Sequence, residues 1–469
     1  MFEFSSAYHI IAKNIRQVDM GNILDFFKGP KLLEPGIYHK VIEEYGYTYR
    51  LHLRVEKSGR GILTVNAARI IFLNQTATEY IKYIIDGLTE EEIVQKIVNR
   101  YRVKKAEALE DFRRVDHTVK EMARTHDDEC PITQLDVDLI EDIDEDLSVP
   151  HRMDLALTYD CDNDCEHCYV ERKQKGAELT TDEWKKVIER IWELGIPHTC
   201  FTGGEATLRK DLVELITHAE DAGLVTGLLT NGRAMKDAGF VRQMADAGID
   251  HFQITLLSHD AKIHNRMMGC DSCWSETVQG IKNAVATPVY TLTNTTITGF
   301  NKNGIIDTVR FLAQLGVDAF ACNSIIKSGK GRKIPTAIEE DELMDIVVSI
   351  RKEAEKLGMK FIWYSPTEYC HFNPIEAGVG MKFCTAAKYN MCVEPDGMVL
   401  PCQSFFQPVG HILKDDWESI WNNALSQTLR DHTWVDEKCH NCPEMPTCGG
   451  GCPLNIPDKK LKELKQLAG

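Results

Sequence analysis

No apolar stretch in these 469 residues approaches the length of a membrane span, which takes about 20 consecutive apolar residues. The opening segment, MFEFSSAYHIIAKNIRQ, lacks a basic start, an apolar core and a small-residue cleavage site, so no secretory signal is expected. Positive charge is in deficit as well. With 54 Lys and Arg against 71 Asp and Glu, the net charge is -17, which disfavours nucleic acid or an anionic membrane surface as the main partner. These absences predict a cytoplasmic protein that engages neither membrane nor nucleic acid. Cysteine is almost missing from the first third, where Cys130 stands alone. It is then abundant, reaching 16 in all. Disulfides are rare in a reducing compartment, and the crowding of four cysteines between Cys439 and Cys452 is what metal ligation requires.

Length alone suggests roughly three domains. Residues 47–55, YTYRLHLRV, alternate apolar and polar and predict a half-buried strand. A turn at 57–61 follows, and ILTVNAARIIFLN reads as the returning strand. Thr76 with Glu79, and Thr89 with Glu92, have capping-box spacing ahead of two helices, and a third helix is expected at about 104–123. The region 1–125 is therefore an α+β, winged-helix-like domain. Residues 126–150 form an acidic linker, with seven acids between Asp136 and Asp146. From 151 to 365 strands alternate with helices at 154–159, 198–204, 225–232, 251–257, 289–298 and 319–325. Six βα units in a row predict an α/β, partial (β/α)6 TIM-like barrel, with its active site at the strand C-termini. Residues 366–469 lose the alternation. Cysteine, glycine and proline dominate to Pro453, so this region is expected to lean on metal ligation for its fold.

Cys161-x3-Cys165-x2-Cys168 follows the first barrel strand. Three thiolates bind three irons of a cubane and leave the fourth open to an exchangeable ligand; by spacing alone a zinc knuckle remains open. The second strand ends in Gly203-Gly204-Glu205, the third in Thr230-Asn231-Gly232, and the fourth contains Thr255. Across about 150–330 this pattern resembles the radical S-adenosylmethionine (SAM) superfamily. The resemblance implies a 4Fe-4S cluster on Cys161, Cys165 and Cys168 whose open iron chelates SAM. Gly203, Gly204 and Glu205 would lie by the methionine amino group, with Glu205 balancing its charge. His167 would pack near the adenine, as would Ile326, while Thr255 would approach the ribose or carboxylate; Asn231 joins this cofactor-binding set. Two departures stand out. Ala206 replaces a usual proline, and Met268 stands where an arginine is common, with Arg266 near enough to substitute.

Cys384-x7-Cys392, Pro401-Cys402 and Cys439-x2-Cys442-x5-Cys448-x3-Cys452 resemble the SPASM extension, which carries auxiliary 4Fe-4S clusters. By that resemblance Cys384, Cys392, Cys402 and Cys452 ligate one cluster, and Cys439, Cys442 and Cys448 a second. The family's last cysteine is absent here, so the second cluster has an open iron, borrows a ligand such as Cys370 or a non-cysteine group, or does not form. Cys270-x2-Cys273 is either a redox pair or incidental, and Cys200 and Cys322 read as core residues. The N-terminal domain resembles the PqqD-like recognition element of maturases of ribosomally made peptides. Together these likenesses imply a radical enzyme that crosslinks, epimerises, decarboxylates or excises part of a precursor peptide bound by its leader. Such an enzyme draws electrons from a donor such as flavodoxin or ferredoxin. A small-molecule or protein side-chain substrate, or a non-catalytic iron–sulfur electron carrier, are the rival readings.

Overall fold

The structure, a computed structural model, describes residues 32–44, 47–66, 69–101, 103–124, 147–171 and 177–469. Apart from 147–150, the acidic linker expected at 126–150 lies outside them, as does Cys130. The chain divides into two compact units, Met1–Ser148 with Glu193–Pro197, and Val149–Trp192 with His198–Gly469.

In the first unit, strands β1 (Gly36–Glu44), β2 (Tyr47–Val55), β3 (Gly61–Val65) and β4 (Arg69–Leu73) form one antiparallel sheet in that order. Helices α1 (Gln75–Ile85), α2 (Glu90–Arg100) and α3 (Lys105–Arg124) follow. The alternation of 47–55 makes β2, and its polar side is open to water only at its start, with Thr48 exposed and Arg50 half-buried. His52 and Arg54 are buried, and Arg54 Nε lies 2.7 Å from Glu56 Oε1. The expected single returning strand is two, because Asn66 turns the chain with φ of 51°. The start of α1 is corrected as well. Asn74, not Thr76, is its cap and accepts from the Ala77 amide at 2.9 Å. Thr89 and Glu92 do form a capping box. Leu51, Leu53, Val65, Tyr80, Ile81, Ile93 and Phe112 pack in the core between sheet and helices.

In the second unit the six expected strands appear as β5 (Arg152–Thr158), β6 (His198–Gly203), β7 (Val225–Thr230), β8 (His251–Thr255), β9 (Tyr290–Thr296) and β10 (Ala319–Asn323). Each is parallel to the next. Helices α4 (Thr181–Glu193), α5 (Leu212–Ala222), α6 (Ala238–Asp246), α7 (Ala261–Met268), α8 (Cys273–Val285), α9 (Ile305–Leu315) and α10 (Glu340–Lys356) lie between or after them. Thr180 and Glu183 cap α4 reciprocally, and its stripe of Trp184, Val187, Ile188 and Ile191 is fully buried. The sheet is wider than the sequence pattern suggests. β11 (Lys360–Trp363) adds beside β10, and β12 (Asn390–Val393) runs parallel to β5. β13 (Met398–Leu400) and β14 (Gly410–His411) continue antiparallel, giving ten strands. The C-terminal region also has an apolar core of its own, with Tyr389, Met391, Phe405, Trp417, Trp421, Leu425 and Trp434 buried. Metal ligation is therefore not its sole source of order.

At the N-terminal ends of the barrel strands, Cys200 on β6 lies 3.6 Å from His198 Nε2 and 3.7 Å from His251 Nε2. Gly227 on β7 makes room for this packing, since a Cβ there would stand 2.0 Å from His251 Nε2. Burial and the Arg152 charge hold the His251 imidazole down at about 3, so the folded ring is neutral. An unfolded chain protonates it near 6.5, so the unfolded state takes up the extra proton between those values. Stability from this residue is complete above pH 6.5 and is lost on acidification, by about 2 kcal/mol at pH 5. The melting temperature of the full chain should fall between pH 7 and pH 5, and His251→Gln should flatten that slope. An unchanged slope would refute the assignment.

Candidate active site

The loop 159–170 leaves the C-terminal end of β5 and carries Cys161, Cys165 and Cys168, all partly exposed thiols rather than disulfides. Its shape comes from neighbours on several sides. Gly203 and Gly204 let the end of β6 run against it, because a Cβ at Gly203 would meet the Thr158 carbonyl at 2.1 Å and one at Gly204 the Asp160 carbonyl at 2.4 Å. The Gly204 amide donates to the Thr158 carbonyl at 2.7 Å and that of Glu205 to Asp160 at 2.8 Å. Past β7, Asn231 Nδ2 donates to Asp162 Oδ1 at 2.7 Å. Arg233 donates to the Asp162 carbonyl at 2.6 Å and to Asn163 Oδ1 at 2.9 Å, and is itself held by Glu276. From the end of α7, the Met268 and Met267 carbonyls accept from the Asp164 and Glu166 amides, both at 3.1 Å. Beyond β10, the Gly331 amide donates to the Cys168 carbonyl at 3.2 Å, and Lys330 pairs with Asp164. Arg233 and the 329–331 turn were not legible as site elements. Their partners lie more than 60 residues away, and only the strand order brings them to one end of the sheet.

Glu205 is 1% exposed. Its carboxylate accepts from Thr230 Oγ1 at 2.7 Å, the Asn231 amide at 2.7 Å, and Thr207 through its hydroxyl at 2.6 Å and its amide at 3.1 Å. Burial raises its carboxyl above the usual range, and those four donors pull it back. These donors make the residue a tie between the end of β6 and the end of β7, beside its expected part in balancing a ligand's amino group. Asn231 also holds the cysteine loop. Arg266, the residue near enough to substitute for the missing arginine, has its guanidinium over the Phe300 ring, 3.9 Å from the centroid, and 3.8 Å from Glu166. Met268 is buried, its sulfur 3.7 Å from Cys165 Sγ.

His167 precedes the third cysteine, and burial holds its ring down at about 4, so it is neutral. Its Nδ1 is buried without a protein hydrogen bond. His264 lies within electrostatic reach, also held down at about 4, with Nδ1 accepting from the Leu257 amide at 3.2 Å. Thr255 ends β8 and Ile326 follows β10, both half-buried at the same end of the sheet. Cys273 begins α8, buried among Leu257, Met267 and Met268, and its thiol donates to the Cys270 carbonyl at 3.0 Å. The donor set fits an iron–sulfur cluster. Three thiols come from one loop, with an unpartnered imidazole nitrogen beside the third.

In the C-terminal region the structure brings Cys384, Cys402 and Cys452 together. Burial pushes the Cys384 thiol up, and its two neighbours push it further. Burial and Cys402 also raise Cys452, to about 12, and Cys392 on β12. Cys439, Cys442 and Cys448 gather separately. The Cys442 amide donates to the Cys439 carbonyl at 3.1 Å, and Cys448 acts on Cys439 electrostatically.

Residues 155–312 match the radical SAM superfamily, and residues 384–443 match the SPASM iron–sulfur cluster-binding domain. The chain thus carries a radical SAM domain followed by an iron–sulfur cluster-binding domain, the make-up of a radical SAM enzyme. Its cofactors are a 4Fe-4S cluster with SAM and auxiliary iron–sulfur clusters. The chain is 29% identical over 327 residues to PqqA peptide cyclase of Bradyrhizobium diazoefficiens, covering 66% of this chain and 82% of that one. Against PqqA peptide cyclase of Methylocella silvestris it is 28% identical, covering 63% and 80%. Among solved structures it shares the fold of Streptococcus suis SuiB bound to precursor peptide SuiA, with a TM-score of 0.63 at 19% identity, over 86% of this chain and 94% of that one. It also resembles anSMEcpe with bound AdoMet and Cp18Cys peptide, with a TM-score of 0.52 at 16% identity, over 68% and 97%. No helix among the described residues is long and apolar enough to cross a membrane.

Proposed function

We propose that this enzyme modifies a ribosomally synthesised precursor peptide. The observation that carries the reading is the likeness to PqqA peptide cyclases over about four-fifths of their length, with the three-cysteine loop and the C-terminal cysteine domain in one chain. Cys161, Cys165 and Cys168 would hold a 4Fe-4S cluster, which together with SAM would supply radical removal of a hydrogen atom from an unactivated carbon.

The protein's part is placement. Arg233, Asn231 and the backbone of 267–268 and 331 fix the cysteine loop, so the three thiols meet a cluster without further ordering cost. Glu205 keeps the ends of β6 and β7 in register beneath it. Neutral His167 and His264 put no competing positive charge beside a site that binds a sulfonium cation, and the buried Leu257, Met267 and Met268 exclude water behind Cys165. Thr255 at the end of β8 and Ile326 beyond β10 would be available to the nucleoside part of SAM. Cys384, Cys392, Cys402 and Cys452 would hold one auxiliary cluster. Cys439, Cys442 and Cys448 supply three ligands of a second.

The first unit suits leader capture in the manner of a PqqD-like domain. Among the described residues β1 pairs only with β2, so its other edge is open for an added peptide strand. Fusion to the barrel raises the local concentration of whatever that edge holds. Electrons would come from a small donor of the flavodoxin or ferredoxin type, and the setting would be the cytoplasm.

The test is anaerobic turnover of the iron-loaded full chain with SAM, a strong reductant and candidate precursor peptides, followed by mass spectrometry. A SAM-dependent mass change in the core peptide, reduced at least tenfold when the leader is removed, is expected. 5'-Deoxyadenosine formed with every peptide left unaltered would overturn the peptide substrate.

A further inference from the structure

We propose that Cys370, which lies outside the matched iron–sulfur domain, is the fourth ligand of the second auxiliary cluster, with Cys439, Cys442 and Cys448. The inference rests on reading the C-terminal region as a carrier of two clusters. Cys439, Cys442 and Cys448 supply three thiols, whereas a cluster closed by protein takes four.

The segment 367–371 is folded directly against Cys448, one of the three thiols. The Tyr369 amide donates to Cys448 Sγ at 3.4 Å, and the Cys448 thiol lies 3.8 Å from the Thr367 carbonyl. Gly451, between Cys448 and Cys452, passes so close that a Cβ there would stand 3.1 Å from Glu368 Cγ. Cys370 is therefore one residue from a backbone group that already touches a ligand thiol. Its own thiol is in electrostatic reach of Cys448, and Cys448 is in reach of Cys439. Lys438 lies 3.6 Å from Glu368 Oε2, and its positive charge acts on both Cys370 and Cys439. A cation at that point offsets the negative charge that four thiolates bring to a cluster.

Two other donors lie nearby, because Glu368, Cys370 and His371 place their ligand atoms within 4.8 Å of one another. Glu368 is occupied by Lys438, and His371 Nδ1 is 3.2 Å from Asp341 Oδ1. Thiolate is also the softest of the three, and iron–sulfur clusters select it. Cys370 is exposed, so iron reaches it without unfolding, and its replacement leaves the apolar core untouched.

The experiment compares the full-length wild type with Cys370→Ala, Glu368→Gln and Cys439→Ala, all loaded anaerobically. Iron and acid-labile sulfide are counted, and electron paramagnetic resonance is recorded in the oxidised and reduced states. Cys370→Ala should lose the reduced signal that Cys439→Ala loses, together with about four irons, or should retain a three-iron cluster visible when oxidised. Glu368→Gln should match wild type. Wild-type iron and spectra in Cys370→Ala would overturn the proposal, as would loss of the signal in Glu368→Gln alone. Wild type with iron for only two clusters in all would also overturn it. 5'-Deoxyadenosine formation in the same samples reports on the Cys161, Cys165 and Cys168 cluster, so failure of the radical chemistry would be seen separately.

Discussion

Alanine at any one of Cys161, Cys165 or Cys168 is expected to reduce 5'-deoxyadenosine formation to the level of iron-free protein, with the fold retained. The reason lies in how the loop is built. Its conformation is set by Arg233, Asn231, Lys330 and backbone hydrogen bonds from residues 204, 205, 267, 268 and 331. Few of these contacts involve a thiol, and the cysteines are partly exposed. Removing one sulfur therefore costs folding about 1 kcal/mol or less. The cluster, by contrast, loses a third of its protein ligands at once. Chromatographic measurement of 5'-deoxyadenosine beside a melting curve separates the two effects. Turnover within a few-fold of wild type in any of the three variants would remove that residue from the ligand set.

Glu205→Ala should be costly for a different reason. Four donors converge on this buried carboxylate, two hydroxyls and two amides. Truncation leaves them without an acceptor in a place water does not reach, and each such group costs about 1–3 kcal/mol. Relaxation will recover part of this, so a loss of roughly 3 kcal/mol is expected. Glu205→Gln keeps the shape and one acceptor oxygen, and should fall between wild type and alanine. Activity should fall with stability in both variants, because the tie between β6 and β7 also sets Asn231 against Asp162 in the cysteine loop. Unchanged stability in Glu205→Ala, with only the affinity for SAM reduced, would contradict this account and leave the carboxylate with contact to the cofactor as its only part.

Periodicity and spacing were enough to establish the six parallel strands, the capping boxes of α2 and α4 and the two groups of cysteines, since each is written within a few neighbouring residues. Alternation over 47–55 made β2, the Thr180–Glu183 pair made the start of α4, and Cys161-x3-Cys165-x2-Cys168 needed only its place after a strand. What the tertiary structure alone decided depends on residues distant in the chain. The single strand expected after Gly61 became two because Asn66 turns. Four-residue β11 and the strands of the C-terminal region are too short to declare themselves until a sheet edge receives them. Glu205 was legible as a site residue but not as a structural one, because two of its four donors come from the end of another strand. Arg233 carried no local signal and became a clamp only when folding placed it beside the cysteine loop about 70 residues away. Cys370 could be named from the sequence as a ligand to borrow, but only folding sets its segment against Cys448. The thiols themselves were visible from the start; the side chains that aim them were not, because aiming is done across strands and sequence runs along them.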